Sequence, residues 1–213
     1  MLAVMPRIAP SLALSLALLV APPMVGAGRA QAPDRHMGVQ LRATAGPGLL
    51  TSTQDVGDGQ SSEISGLALG FGFALGTMVT DHLAINMDLA LARAGSADYD
   101  VLQDAVFTAV HLGAGVTYWL MPENIFLAAS VGAARSSVSG EPIRIDVELP
   151  NSESTHVGLG VHLTLGKQWW VSRRWGLGAS LGILGSSAAN PAVGRDTNRV
   201  TVGLIAALTA TFH

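Results

Sequence analysis

"HVGLGVHLTLGKQWWVSRRWGLGASLGIL", residues 156–184, is the stretch that decides the fold. On its first arm Val157, Leu159, Val161, Leu163 and Leu165 alternate with Gly158, Gly160, His162 and Thr164. On its second arm Trp175, Leu177, Leu181 and Ile183 alternate with Gly176, Gly178, Ser180 and Gly182. A period of two sends successive side chains to opposite faces, which is the signature of a strand. Between the arms lies "VSRR", residues 171–174, short enough to join two antiparallel neighbours. One face of this hairpin is therefore apolar, and the other is glycine, serine, threonine or histidine.

The same alternation recurs along the chain. "MGVQLRATAG" from Met37 sets Val39, Leu41 and Ala43 against Gln40, Arg42 and Thr44. "GLALGFGFALG" from Gly66 places only glycine and alanine between Leu67, Leu69, Phe71, Phe73 and Leu75. "HLAINMDLALA" from His82 opposes Ile85, Met87 and Leu89 to Asn86 and Asp88. "AVFTAVHLGAGVTYWL" from Ala105 opposes Val110, Leu112 and Val116 to His111, Gly113 and Thr117. "IFLAASVGAA" from Ile125 and "RVTVGLIAALTATFH" from Arg199 complete a set of eight strands. One face reads as apolar and free of charge throughout. The other is small or polar, with Arg42, Asp88 and an occasional histidine.

Two barrels fit such a pattern, and composition chooses between them. Of 213 residues 49% are hydrophobic, 25 are glycine and only 13% are charged, about half the roughly 25% of a soluble domain. A water-soluble barrel would expose the glycine, alanine and serine face, which is a poor aqueous surface. A membrane barrel turns the apolar face to lipid and packs the small face inward. With eight strands the interior is just wide enough for side chains to fill it. The reading is an all-β chain, an eight-stranded antiparallel up-and-down transmembrane β-barrel over residues 36–213. A net charge of -3 with no basic run gives no reason to expect nucleic acid.

Residues 1–30 read as a signal peptide. Arg7 precedes the apolar "IAPSLALSLALLV", and Val25-Gly26-Ala27 and Gly28-Arg29-Ala30 offer small-residue cleavage sites, placing cleavage at about residues 27 to 32. The apolar run is too short to span a bilayer, which needs about twenty residues. The chain has no cysteine, so neither a lipid-modified cysteine nor a disulfide framework is expected.

The connections alternate in length. "TMVTD", "MPEN" and "VSRR" are short, whereas the stretches beginning at Pro47, Arg93, Arg135 and Gly185 read as long loops. Short turns inside and long loops outside is the outer-membrane arrangement, and it leaves both termini in the periplasm. The aromatics gather at the short turns. Tyr118, Trp119, Trp169, Trp170, Trp175 and Phe212, followed by Phe126, are expected to form an interfacial girdle, where a ring is half buried and an N–H stays wet.

The signal peptide, the eight alternating strands and the near-terminal Phe212 resemble the small outer-membrane β-barrel family of the OmpA/OmpX type. "YWLMPENIF" and "GKQWWVSRRWGLG" also look like segments that recur in bacterial barrels of this kind. The resemblance covers residues 36 to 213 and is one of pattern. It implies an outer-membrane address, outer-membrane lipids as partners, and contact with the barrel-insertion machinery through the strand ending at Phe212. His213 after that aromatic is a departure from the family pattern.

Few residues offer chemistry. Arg42 and Asp88 face inward across a strand of glycine and alanine, and are expected to form a charge-assisted lumen pair. His111 and His162 are expected in the lumen at similar heights, with Ser130 on the strand between. Two histidines fall short of the three or four ligands of a metal site, and no cofactor or catalytic residue is assigned. Ser154 and His156, with Glu153, are the nearest approach to a nucleophile and base, without an oxyanion donor or groove. The loops carry an excess of acid, and "IRIDVEL" from Ile143 alternates again, predicting that the strands flanking the third long connection extend beyond the membrane. The function expected is non-catalytic, structural or surface-interacting. A narrow pore is the alternative, and a lipid-modifying enzyme the third reading.

Overall fold

The computed structural model describes residues 38–57, 60–97, 102–142, 152–154, 157–190 and 197–213. The signal-peptide expectation for residues 1–30 and the "IRIDVEL" segment lie outside them. The strands are β1 (Val39–Gly57), β2 (Gln60–Met78), β3 (Leu83–Ala97), β4 (Leu102–Leu120), β5 (Ile125–Pro142), β6 (Ser152–Ser154), β7 (Gly158–Trp170), β8 (Trp175–Asn190) and β9 (Thr197–Phe212). Every pairing is antiparallel, and β1 with β9 closes the ring. Short β6 is not a ninth stave. It pairs with β5 at Ser137–Ser139, beyond the β5–β7 ladder that stops at Ala134 and Gly158, and so prolongs β7's place in the wall. The eight-stranded up-and-down barrel read from the alternation is the fold.

The stagger of the barrel follows from its ladders. A rung starting at Arg42 passes through Ala74, Asp88, Gly113, Gly132, Gly160, Ser186 and Thr201 and regains β1 at Ser52, ten residues on. Strands in such a barrel tilt by about 35–45° from the axis, so each rung climbs as it circles. Both described termini lie at the end that carries the short turns, because Leu41 is level with Phe212 across the closing seam.

The strands run past the points where the alternation fades. The long connections were expected to begin at Pro47, Arg93, Arg135 and Gly185, yet β1 reaches Gly57, β3 Ala97, β5 Pro142 and β8 Asn190. The extension expected around the third connection is seen in β5 and β6, and the other three connections share it. The physical reason lies in the outward positions there, Thr51, Thr53, Glu63 and Ser65. They are as polar as the inward ones, so hydropathy stops alternating while the backbone ladder continues. Pro47 leaves a local mark: it has no N–H to donate, and the β1–β9 ladder skips Gly46 and Pro47.

Candidate functional site: the lumen and its two seals

Inward side chains stack in three layers. At the turn end Trp119 and Phe126 are fully buried with Ala84 and Ala128, and Met78 packs against them. Gln168 on β7 donates from Nε2 to the hydroxyl of Thr211 and to that of Thr209 at 3.5 Å. The imidazole of His213 lies between two indoles, with ring centroids 5.6 Å from Trp119 and 5.1 Å from Trp170. Its backbone N–H donates to the carbonyl of Arg174 at 3.0 Å, which ties the C-terminus to the "VSRR" turn. These groups close the turn end.

The far end is closed by an apolar layer. Leu50, Ile64, Phe107, Val138, Leu184 and Ile205 meet there among small alanines. Beyond it Arg199 donates from Nη2 to Oε1 of Gln54 at 2.6 Å. The sequence reading had made the inward face small or polar, so these large apolar residues are a correction. The alternation of β4 and β9 contained the signal, since Phe107 and Ile205 both fall on the histidine-and-glycine face. Glycine makes room for them: a Cβ on Gly70 would stand 2.5 Å from Cδ1 of Ile205.

Between the seals lies a hydrogen-bonded polar layer. Asp88 is its centre. Its Oδ2 accepts from Nδ1 of His162 at 2.7 Å and from the hydroxyl of Ser130 at 2.8 Å. Because that hydroxyl proton points to Asp88, Nε2–H of His111 is the donor in its 3.0 Å bond to Ser130. The hydroxyl of Thr164 in turn donates to Nε2 of His162 at 3.3 Å. His111 is buried completely, and it fits because Gly113 and Gly160 leave space; a Cβ on either would come within 2.7 Å of its ring nitrogens. A cavity of about 20 Å³ beside His162, Thr164, Ser180 and Ile205 has room for one water molecule.

Arg42 and Asp88 are both buried, but they do not form the expected ion pair. They share a rung two strands apart, and the rung climbs between them. Arg42 lies nearer the turn end, where Nη1 donates to the hydroxyl of Thr117 at 3.3 Å and the guanidinium lies 4.8 Å from the centroid of Phe126. The hydroxyl of Thr117 donates in turn to Oδ1 of Asn86 at 3.0 Å. The two histidines are brought together as expected, with ring centroids 6.2 Å apart. Among the described residues no group of three or more histidine, aspartate and glutamate side chains has metal-binding geometry. The side chains of Glu153, Ser154 and His156 lie outside the described set.

The aromatic cluster divides in two. Tyr118, Trp169, Trp175 and Phe212 face outward, and Trp175 packs edge-on against Phe212 at 5.3 Å. Trp119, Trp170 and Phe126 face inward, against the sequence expectation of an outward girdle. The cause is the period of the strand. Tyr118–Trp119 and Trp169–Trp170 are adjacent pairs, so one ring of each must enter the lumen.

Outside, the wall is a band of exposed apolar side chains that includes Leu67, Phe71, Met87, Leu112, Val131 and Leu163. An apolar exterior around a packed, partly polar interior inverts the arrangement of a water-soluble protein, and it defines a small integral-membrane β-barrel. Comparison with one solved structure agrees on the fold. The chain is similar to Neisserial surface protein A (NspA), with a TM-score of 0.53 at 14% identity over 83% of this chain and 97% of that one. Agreement is looser with Ail, the attachment invasion locus protein of Yersinia pestis (TM-score 0.42, 17% identity, 82% and 99% covered). OprG from Pseudomonas aeruginosa gives a TM-score of 0.46 at 12% identity, with 84% and 98% covered. No protein-family model matches the chain, and no curated protein does.

Proposed function

We propose that the protein is a non-catalytic, non-conducting barrel of the bacterial outer membrane that meets surface partners through its long connections. Residues 1–30 act as its export signal, and the short-turn end with both termini lies in the periplasm. The observation that carries the reading is the filled lumen, with Trp119, Trp170 and His213 at one end, and Leu50, Phe107, Ile64 and Val138 at the other. Between them the hydrogen bonds around Asp88 hold the interior in one arrangement. The hydroxyl of Ser130, shared between Asp88 and His111, is buried between the two seals, and among the described residues no groove leads a substrate to it.

The address rests on the exterior. The apolar band demands lipid, and short turns at one end with long connections at the other suit export through the periplasm. Tyr118, Trp169, Trp175 and Phe212 then stand at the periplasmic headgroup level. Phe212, outward on the last strand, is the residue offered to the insertion machinery. The test is planar-bilayer conductance of the refolded chain from residue 31 onward, with folding verified by a heat-dependent gel shift. Silence is expected. Discrete steps that change in Arg42→Ala or Asp88→Ala would make the protein a pore and end this reading.

A further inference from the structure

Among the described residues, the outward face carries two cations where the sequence suggested loops. Arg93 on β3 and Arg135 on β5 are exposed and belong to the outer wall, and they flank β4. In register Arg93 is opposite Thr108, which is opposite Ser137, while Arg135 is opposite Val110, which is opposite Leu91. Arg135 is thus two residues nearer the turn end than the rung of Arg93. A stagger of ten over eight strands lifts the rung by about two and a half residues from β3 to β5. The two effects cancel, and the arginines stand level. Two strand spacings of about 4.8 Å place them roughly 10 Å apart laterally, within reach of one headgroup.

Their height is also defined. Leu83 is opposite Tyr118 of the aromatic ring, and Arg93 lies ten residues farther along β3. Ten residues of tilted strand rise about 25 Å, the height of the apolar band on a membrane barrel. Below the arginines the outward residues are Leu91, Val110 and Val131; level with them or just above are Thr108, Ser137 and Gly95. The outward carboxylate of Glu63 is six residues beyond Leu69, the β2 partner of Arg93. An outward arginine at mid-membrane costs about 2–4 kcal/mol, and near zero to 1 at the interface.

We infer that Arg93 and Arg135, with the hydroxyl of Thr108 between them and that of Ser137 just above, bind a phosphate-bearing lipid headgroup of the outer leaflet. Guanidinium groups pair with phosphate oxygens through charge-assisted, often bidentate bonds. The assignment to the outer leaflet rests on the orientation proposed above; the affinity for a lipid phosphate does not.

The experiment titrates the refolded protein in neutral detergent with diphosphorylated lipid A and counts bound lipid by native mass spectrometry. Two lost cations are expected to weaken binding roughly ten- to thirtyfold in Arg93→Gln/Arg135→Gln. Dephosphorylated lipid A is expected to bind the unaltered protein no better than lipid A binds that double variant. Equal affinity for the two proteins, or indifference to the phosphates, overturns the proposal. So does displacement of lipid A by an equimolar amount of inorganic phosphate. Should the glutamine variant fail the gel-shift test, Arg93→Lys/Arg135→Lys keeps the charge without the fork and is expected to bind measurably less tightly; unchanged affinity there counts against a guanidinium site. Orientation is read separately. The chain lacks cysteine, and Gly95, with open space around its Cα, accepts a cysteine. Gly95→Cys labelled by an impermeant maleimide on intact cells supports the outer leaflet. Labelling only after lysis overturns that orientation and leaves the lipid titration standing.

Discussion

Nδ1 of His162 lies 2.7 Å from Oδ2 of Asp88, and the pair joins β7 to β3 across the interior of the barrel. These strands are not neighbours in the wall. The bond is therefore a cross-brace of the lumen, and the carboxylate is shared with Ser130 from a third strand.

Asp88→Ala leaves His162 and Ser130 without their common acceptor. A loss of about 2–4 kcal/mol is expected, from a buried charge-assisted pair broken on one side. Urea unfolding in phosphatidylcholine vesicles measures it. A double-mutant cycle with His162→Ala should return a coupling of about 1–3 kcal/mol, and strict additivity would show that the brace contributes nothing.

Gly160→Val tests the seat of His111. The first atom of the new side chain would stand 2.6 Å from Nδ1 of that ring. Overpacking of this kind costs about 1–3 kcal/mol. Pairing it with His111→Ala should recover part of the loss in the same unfolding assay. No recovery would mean that the strain resides in the wall.

The division of the aromatics predicts unequal substitutions. Trp119→Ala empties a fully buried site and should cost about 3–5 kcal/mol in any lipid or detergent. Trp175→Ala removes an outward ring, so its cost should be smaller and should vary with the amphiphile. Equal losses in micelles and vesicles for both residues would contradict the assignment of one ring to each face.

Leu89→Lys places a charge in the middle of the exposed apolar band, between Met87 and Leu91 on the outward face of β3. The expected cost is about 2–4 kcal/mol in vesicles, read from the shift of the denaturant midpoint. A soluble barrel would tolerate the same change, so a negligible shift would remove the lipid from around this wall.

The wall of the barrel was legible because lipid writes its demand at every second residue. Leu67 to Leu75 and Leu159 to Leu165 could not have been read otherwise. Beyond the band that demand stops, and Thr51 or Ser137 carries no mark of facing outward; the strand ends were misplaced for that reason. On the same ground Arg93 and Arg135 read as the first residues of loops. The lumen was legible only by default, as whatever the apolar face was not. Period two showed which residues enter it, but which of them meet depends on the stagger of ten. That stagger set His162, rather than Arg42, beside Asp88. Trp119 and Trp170 show the converse: residue type points to an outward girdle, while the parity of position turns both rings inward.

The clasp of this ring joins β1 to β9, the first described strand to the last. Every other pairing along the wall is between strands close in sequence, but this one waits for nearly the whole chain. Until it forms, two rows of backbone N–H and C=O groups have no partner, and hydrocarbon supplies none. His213 between its two indoles then comes last of all. Closure of the ring and sealing of the turn end are thus coupled, because the strand that supplies the last ladder also carries His213 into the seal.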